Sequence, residues 1–106
     1  MTDWLAQGYR AMQPGVFHRV SRYGEKLMLC EVAFNAGAVV PPHAHPHEQI
    51  CYVVSGKMTF DLAGDQVTLE AGGSCLMPPN APHGAVCLEE ALVLDVFTPL
   101  REDFLR

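Results

Sequence analysis

The sequence is poor in charge, and the charge it has leans acidic: 7 Lys and Arg stand against 12 Asp and Glu, a formal net charge of −5 over 106 residues. No cluster of Lys and Arg occurs that could neutralise a run of phosphates, which excludes the usual electrostatic route to nucleic acid. No apolar run is long enough to span a bilayer, no lipidation motif is present, and the opening MTDWLAQGYR lacks the apolar centre of a signal peptide. The expectation is a soluble, cytoplasmic protein with no membrane partner. Among Cys30, Cys51, Cys75 and Cys87 there is no CxxC pair, so neither a thiol metal knuckle nor a dithiol redox motif is written locally, and the four read as reduced thiols. Repeats and low-complexity tracts are also missing. A chain of this length fits one domain, residues 1–106, able to bury roughly two-thirds of its unfolded surface.

What is present is apolar residues, at 49%, with 9 Gly and 8 Pro, a mixture suited to short strands and tight turns. Thr2–Gln13 reads as one short helix, capped by Thr2 or Asp3, with Trp4, Leu5 and Tyr9 on one side and Pro14-Gly15 ending it. From Val16 the pattern is β: strands over Val16–Val20 and Leu27–Phe34, an extended Ala38–His45 broken by Pro41-Pro42, then Gln49–Val54 with Lys57–Ala63 as its hairpin partner. Gln66–Glu70, Ser74–Met77, His83–Leu88 and Ala91–Thr98 follow. Strands this short, with turns every six to twelve residues or so, predict an all-β sandwich or barrel.

The chemistry concentrates in Gly37–Gly56, GAVVPPHAHPHEQICYVVSG. Residues two apart on an extended chain project from one face, so His43 and His45 point together, and His83, delivered by the rigid Pro78–Pro82 loop, offers a third imidazole if the segments are neighbours. Imidazoles grouped in this way are metal ligands. The bland alternative makes His43 and His45 solvated turn residues and His83 an ordinary loop histidine. For a fourth ligand, Glu48 is chemically stronger than Gln49, but the two face opposite ways on a strand, and only Gln49 keeps step with Cys51 and Val53. His47 is a further competitor. Three imidazoles and an amide leave the full positive charge on a divalent ion, which suits Lewis-acid chemistry; nickel, zinc, iron, manganese and copper all remain open.

These residues resemble the cupin family. Gly37, His43, His45, Gln49 in the usual Glu place and Gly56 match its first motif (residues 37–56); Gly72, Pro78, Asn80 in a Gly place, His83 and Cys87 in an Asn place match its second (residues 72–87). The resemblance implies a double-stranded β-helix, or jelly-roll barrel, with a short N-terminal helix or lead-in segment, a metal inside its mouth, and a homodimer. Trp4, Pro14-Gly15-Val16, the HPHEQI run and the end Leu94–Leu105 narrow the likeness to small Cupin_2-type proteins of the pectin-degradation KdgF type. Those open the ring of 4,5-unsaturated uronates to the linear keto sugar acid. By this match the metal ligands are His43, His45, Gln49 and His83, and the pocket's acidic, aromatic and basic residues are Asp95, Phe97 and Arg101. Cys51 is a departure that bears on substrate identity.

Asp95 interrupts the apolar run Leu92–Phe97, and an ionised carboxylate in a dry strand costs several kcal/mol unless paired, roughly the net penalty of a buried ion. It is either a general acid or base or the partner of Arg101 or Arg19. Phe97 shares its parity, so it lines the same cavity or fills the core. Arg101 lies beyond Pro99, where its direction is open: a fork for a substrate carboxylate, or a surface residue. Two rival functions remain, a non-haem iron dioxygenase of a small organic substrate and a non-catalytic small-ligand-binding cupin.

Overall fold

β-Branched and aromatic runs, punctuated by Gly, Pro and Asn turns, fold into eight strands in the computed structural model, which describes residues 1–106. The strands are β1 (Arg10–Gln13), β2 (Val16–Tyr23), β3 (Met28–Phe34), β4 (Val39–His43), β5 (Glu48–Leu62), β6 (Asp65–Glu70), β7 (Ser74–Met77) and β8 (His83–Thr98). All pairings are antiparallel, in the order β1-β2-β3-β8-β5-β6, with β4 added to β8 and β7 added to β5.

The long strands β5 and β8 build the jelly roll. Glu48–Ser55 pairs with Leu92–Thr98, and past a bend Lys57–Leu62 pairs with His83–Glu89. Glu48–Ser55 of β5 and Leu92–Thr98 of β8 form one layer with β1, β2, β3 and β7; Lys57–Leu62 of β5 and His83–Glu89 of β8 form another with β4 and β6. Successive register shifts at Val53/Ser55, Ser55/Lys57 and Lys57/Met58 turn the corner, as bulges do. Gly56 sits at that corner with φ +84°, and a Cβ there would lie 2.1 Å from the Glu90 carbonyl oxygen. Only glycine permits both the left-handed backbone and the close approach of the two strands.

This corrects the expected hairpin between Gln49–Val54 and Lys57–Ala63, which are one bent strand, as are the two segments expected over His83–Thr98. Ser55-Gly56 carries a turn's composition, but the pairing energy of β8 along both halves keeps the strand going. The expected helix over Thr2–Gln13 is also corrected: a single 3-10 turn, Leu5–Gln7, ends at Gly8 in the left-handed conformation, and β1 follows. A lone three-turn helix is marginal in water, whereas an extended chain gains the ladder to β2 and seats Tyr9, whose hydroxyl donates to Glu31 Oε1 at 2.8 Å.

The inner face of the first layer is arranged in rows across the strands. Met28, Phe97, Gln49 and Met77 make one row, Cys30, Asp95, Cys51 and Cys75 the next, and Val32, Val93 and Val53 a third. The valine row joins Met58, Phe60 and Cys87 in the main hydrophobic core, where Val53 and Met58 are fully buried. Each such side chain contributes about 1.5–3 kcal/mol. The rows above it carry polar groups and bound a pocket instead. No helix of the chain is long and apolar enough to cross a membrane.

Candidate metal centre and pocket

β4 ends on His43, and Pro41-Pro42 shifts its register against β8 so that His43 and His83 become cross-strand partners. His45 follows two residues on. One ring nitrogen from each of His43, His45 and His83 lies within 4.8 Å of the others. The Nδ1 atoms face backbone carbonyls: His43 toward Pro41 at 3.1 Å, His45 toward His47 at 3.1 Å and His83 toward Ala81 at 3.0 Å. Each carbonyl accepts from Nδ1–H, which selects one tautomer and leaves the Nε2 lone pair free. Burial, the largest cause in each case, pushes the pKa of His45 and His83 below the ordinary imidazole value and so favours the neutral, ligating form.

Gln49 supplies a fourth donor. Its Nε2 donates to Cys51 Sγ at 3.3 Å, which orients the amide, and its Oε1 stands 3.0 Å from His45 Nε2. With Nδ1 of His45 protonated, two lone pairs then face the same point, an arrangement suited to a cation beside them that takes both. Three imidazole nitrogens and a carbonyl oxygen therefore fit a divalent transition ion. Glu48 is exposed, as the strand alternation of β5 requires. His47 stands outside the cluster, with Nε2 donating to the Leu100 carbonyl at 3.2 Å.

Next to this cluster is a cavity of about 360 Å³, large enough for a small organic ligand. Its wall includes His43, His83, Gln49, Cys51, Asp95, Phe97 and Arg101. Asp95 is 9% exposed and accepts from the Cys51 thiol at 2.8 Å. Neither arginine considered as its ion-pair partner reaches it: Arg19 pairs with Glu31 at 3.0 Å and Arg101 with Asp103 at 3.0 Å. Burial pushes the Asp95 carboxyl above the usual carboxylate range, against hydrogen bonds from Cys51 and Gln49 and the charge of Arg101. The neighbouring Cys75 thiol, then burial and the Asp95 charge, raise the Cys51 thiol well above its ordinary value and keep it a donor. Cys30, on the other side of Asp95, is pushed up to about 12, mainly by burial.

Phe97 is both core and wall: it packs with Met28 and Cys30 and faces the cavity. Arg101, whose direction the chain past Pro99 left open, is turned onto the pocket, its guanidinium 4.3 Å from the Phe104 ring centroid and 5.3 Å from that of Phe97. Its Nε and Nη2 donate to Asp103, leaving Nη1 uncommitted. Cys87, also of inward parity, is buried in the main core and is not part of the wall. Sequence reasoning missed Phe104, in the 3-10 turn Glu102–Leu105, and Met12 and Gln13, which reach the wall from β1. The aromatic at 104 was visible but lay outside any periodic strand, and residues 12 and 13 were hidden by the helix expectation.

Compared with known proteins, residues 30–97 match the Cupin_2 family model, described as a cupin domain. The chain is 38% identical over 93 residues to the pectin degradation protein KdgF of Dickeya dadantii (strain 3937), covering 86% of this chain and 84% of that one. The structure of KdgF from Halomonas sp. superposes with a TM-score of 0.87 at 38% identity, over 90% of this chain and 88% of the other. An RmlC-like cupin from Shewanella frigidimarina NCIMB 400 superposes with a TM-score of 0.87 at 35% identity, over 91% and 86%.

Proposed function

The chain belongs to the cupin family, and from that premise we propose that residues 1–106 are one cupin domain that opens the ring of a 4,5-unsaturated uronate to its linear keto acid. One observation carries the reading: Asp95, a buried carboxylate with no cation at ion-pair distance, shares a small-molecule-sized pocket with His43, His83 and Gln49. The likeness to a pectin degradation protein supplies the substrate class.

His43, His45, His83 and Gln49 Oε1 would hold one divalent transition ion, which when bound supplies a Lewis acid for the substrate's carboxylate and ring or enol oxygen. Asp95 takes the proton of the hemiacetal hydroxyl as the bond from that carbon to the ring oxygen breaks, giving an aldehyde and an enolate. The carboxyl then returns a proton to the former alkene carbon while the enolate oxygen becomes a ketone. A proton has moved from oxygen to carbon and nothing is oxidised. A carboxyl whose pKa is raised by burial holds that proton more readily than an exposed one does. Cys51 orients it, Phe97 packs against the sugar, and the free Nη1 of Arg101 takes the carboxylate.

The domain would act as a homodimer. Leu29, Val96, Ile50 and Leu76 form an outward apolar row, with Leu94 and Tyr52 in the next, and Ile50, Tyr52 and Leu76 are exposed in the isolated chain. Continuous apolar faces of this kind are what subunit contacts cover; light scattering reads the mass.

The test of function is elemental analysis of wild type beside His43→Ala/His83→Ala, followed by the ultraviolet enol absorbance of unsaturated galacturonate. About one ion per chain, lost in the variant, with decay in wild type only, is the expected result. Metal without decay refutes the reaction and turns attention to oxygen consumption with iron or to ligand binding; no metal in either refutes the site.

A further inference from the structure

We infer that Cys51 and Cys75 form a peroxide-responsive dithiol that closes to a disulfide in the wall of the pocket. The two are direct cross-strand partners between β5 and β7, and both side chains lie on the inner face of the layer. Val53 N–H donates to the Gly73 carbonyl at 2.9 Å, which makes that pair a hydrogen-bonded one. Two residues along the ladder, Cys51 and Cys75 occupy the same type of position, where Cα atoms sit about 5.5 Å apart. That lies within the Cα range of bridged cysteines, but the Cβ atoms of a hydrogen-bonded pair stand about 5.5 Å apart, so closure draws β7 toward β5 by about 1 Å, a movement open to a strand bonded to β5 alone.

The other thiols lack such a partner. Cys30 lies in the same row but with Asp95 between it and Cys51, so its Cα is roughly 10 Å away, twice the strand spacing and beyond bridging reach. Cys87 faces Met58 in the main core. Access distinguishes the two members of the pair. β7 is bonded to β5 alone, and Cys75 on it is only partly buried, whereas Cys51 is 2% exposed. Cys75 is therefore the entry thiol. Its sulfur attacks the O–O bond of a hydroperoxide, becoming a sulfenic acid and releasing an alcohol or water. The Cys51 sulfur then displaces the sulfenic oxygen, which leaves as water with the Cys51 proton. Two S–H bonds are lost, one S–S bond forms, and the peroxide is reduced by two electrons.

The consequence follows from one hydrogen bond. Cys51 S–H is the 2.8 Å donor to Asp95, and a disulfide has no hydrogen to donate. Closure removes the group that orients the pocket carboxylate. Only this consequence rests on the ring-opening reading above; the thiol chemistry does not.

The experiment treats the full chain with hydrogen peroxide and reads thiol titration, peptide mass mapping and ring-opening rate, before and after dithiothreitol, in wild type and Cys75→Ser. Expected in wild type are two thiols remaining of the four, a Cys51–Cys75 peptide lighter by two hydrogens, and a rate down about tenfold or more, as displaced catalytic groups give. Dithiothreitol restores both. Cys75→Ser starts at the wild-type rate, forms no link and keeps that rate through peroxide. Sulfinic acid at Cys75 without a link, or a link only between chains, overturns the dithiol. A link that leaves the rate unchanged overturns the switch. A link in a chain that shows no ring opening in either state supports the dithiol and refutes the ring-opening reading separately.

Discussion

Replacing Gly56 by alanine should be among the most damaging single-methyl changes in this chain. The new Cβ would lie 2.1 Å from the Glu90 oxygen and 2.6 Å from Ala91 Cα, against backbone that no side-chain rotation can clear. To restore ordinary contact, β5 and β8 must part by about 1 Å at the corner where both bend, weakening the ladder on either side. Holding a non-glycine residue at φ +84° costs about 1–2 kcal/mol, and losing about two ladder hydrogen bonds adds about 2 kcal/mol. The expected loss is about 3–4 kcal/mol, a large part of a small domain's stability. Gly64→Ala is the control, since Gly64 has φ +94° with nothing within 4 Å of an added Cβ. It should lose only the backbone component, about 1–2 kcal/mol. Urea denaturation followed by circular dichroism and extrapolated at constant slope measures both. Equal losses for the two variants would refute the close-approach argument, and a Gly56→Ala loss under about 1 kcal/mol would refute the backbone strain as well.

Met58→Ala removes a fully buried side chain from the main core and should cost about 2–5 kcal/mol in the same assay. Arg101→Gln keeps bulk but loses the charged fork; kcat/KM for an unsaturated uronate should fall about 10- to 100-fold, mostly in KM, if the guanidinium binds the carboxylate. Asp95→Asn should retain the metal measured by elemental analysis while losing about 100-fold or more in kcat. His18 gives a pH signature: burial first, then Arg10, depresses its pKa below the ordinary imidazole value, and its buried Nδ1 has no hydrogen-bond partner. The folded state resists the proton, so this contribution to stability is present above about pH 6.5 and is lost as pH falls through that value toward the folded pKa. The urea midpoint should drop between about pH 7.5 and pH 5.5, and His18→Phe should make that slope shallower, His45 and His83 supplying the rest.

Parity made much of the candidate site legible. Gln49, Cys51 and Val53 alternate with Glu48, Ile50 and Tyr52, and the first set is buried while the second is exposed. The same rule carries Asp95 and Phe97 inward together. It could not say whether a segment such as Ser55-Gly56 turns or merely bends. That depends on whether a partner strand continues past it, and the partner, β8, begins only at His83.

The sequence by itself determined the all-β class, the inward set on each strand, the paired His43 and His45, and the match to two cupin motifs, because side-chain alternation and turn chemistry are local properties of the backbone. Only the tertiary structure decided that His83 stands opposite His43, that Cys75 stands opposite Cys51, that Arg19 and Arg101 take other partners and leave Asp95 without a cation, and that Phe104 returns to the pocket wall. The facing of His83 and His43, like that of Cys75 and Cys51, is a pairing between residues distant in the chain. It is set by the register in which antiparallel strands meet, where a shift of one residue would turn every inward group outward.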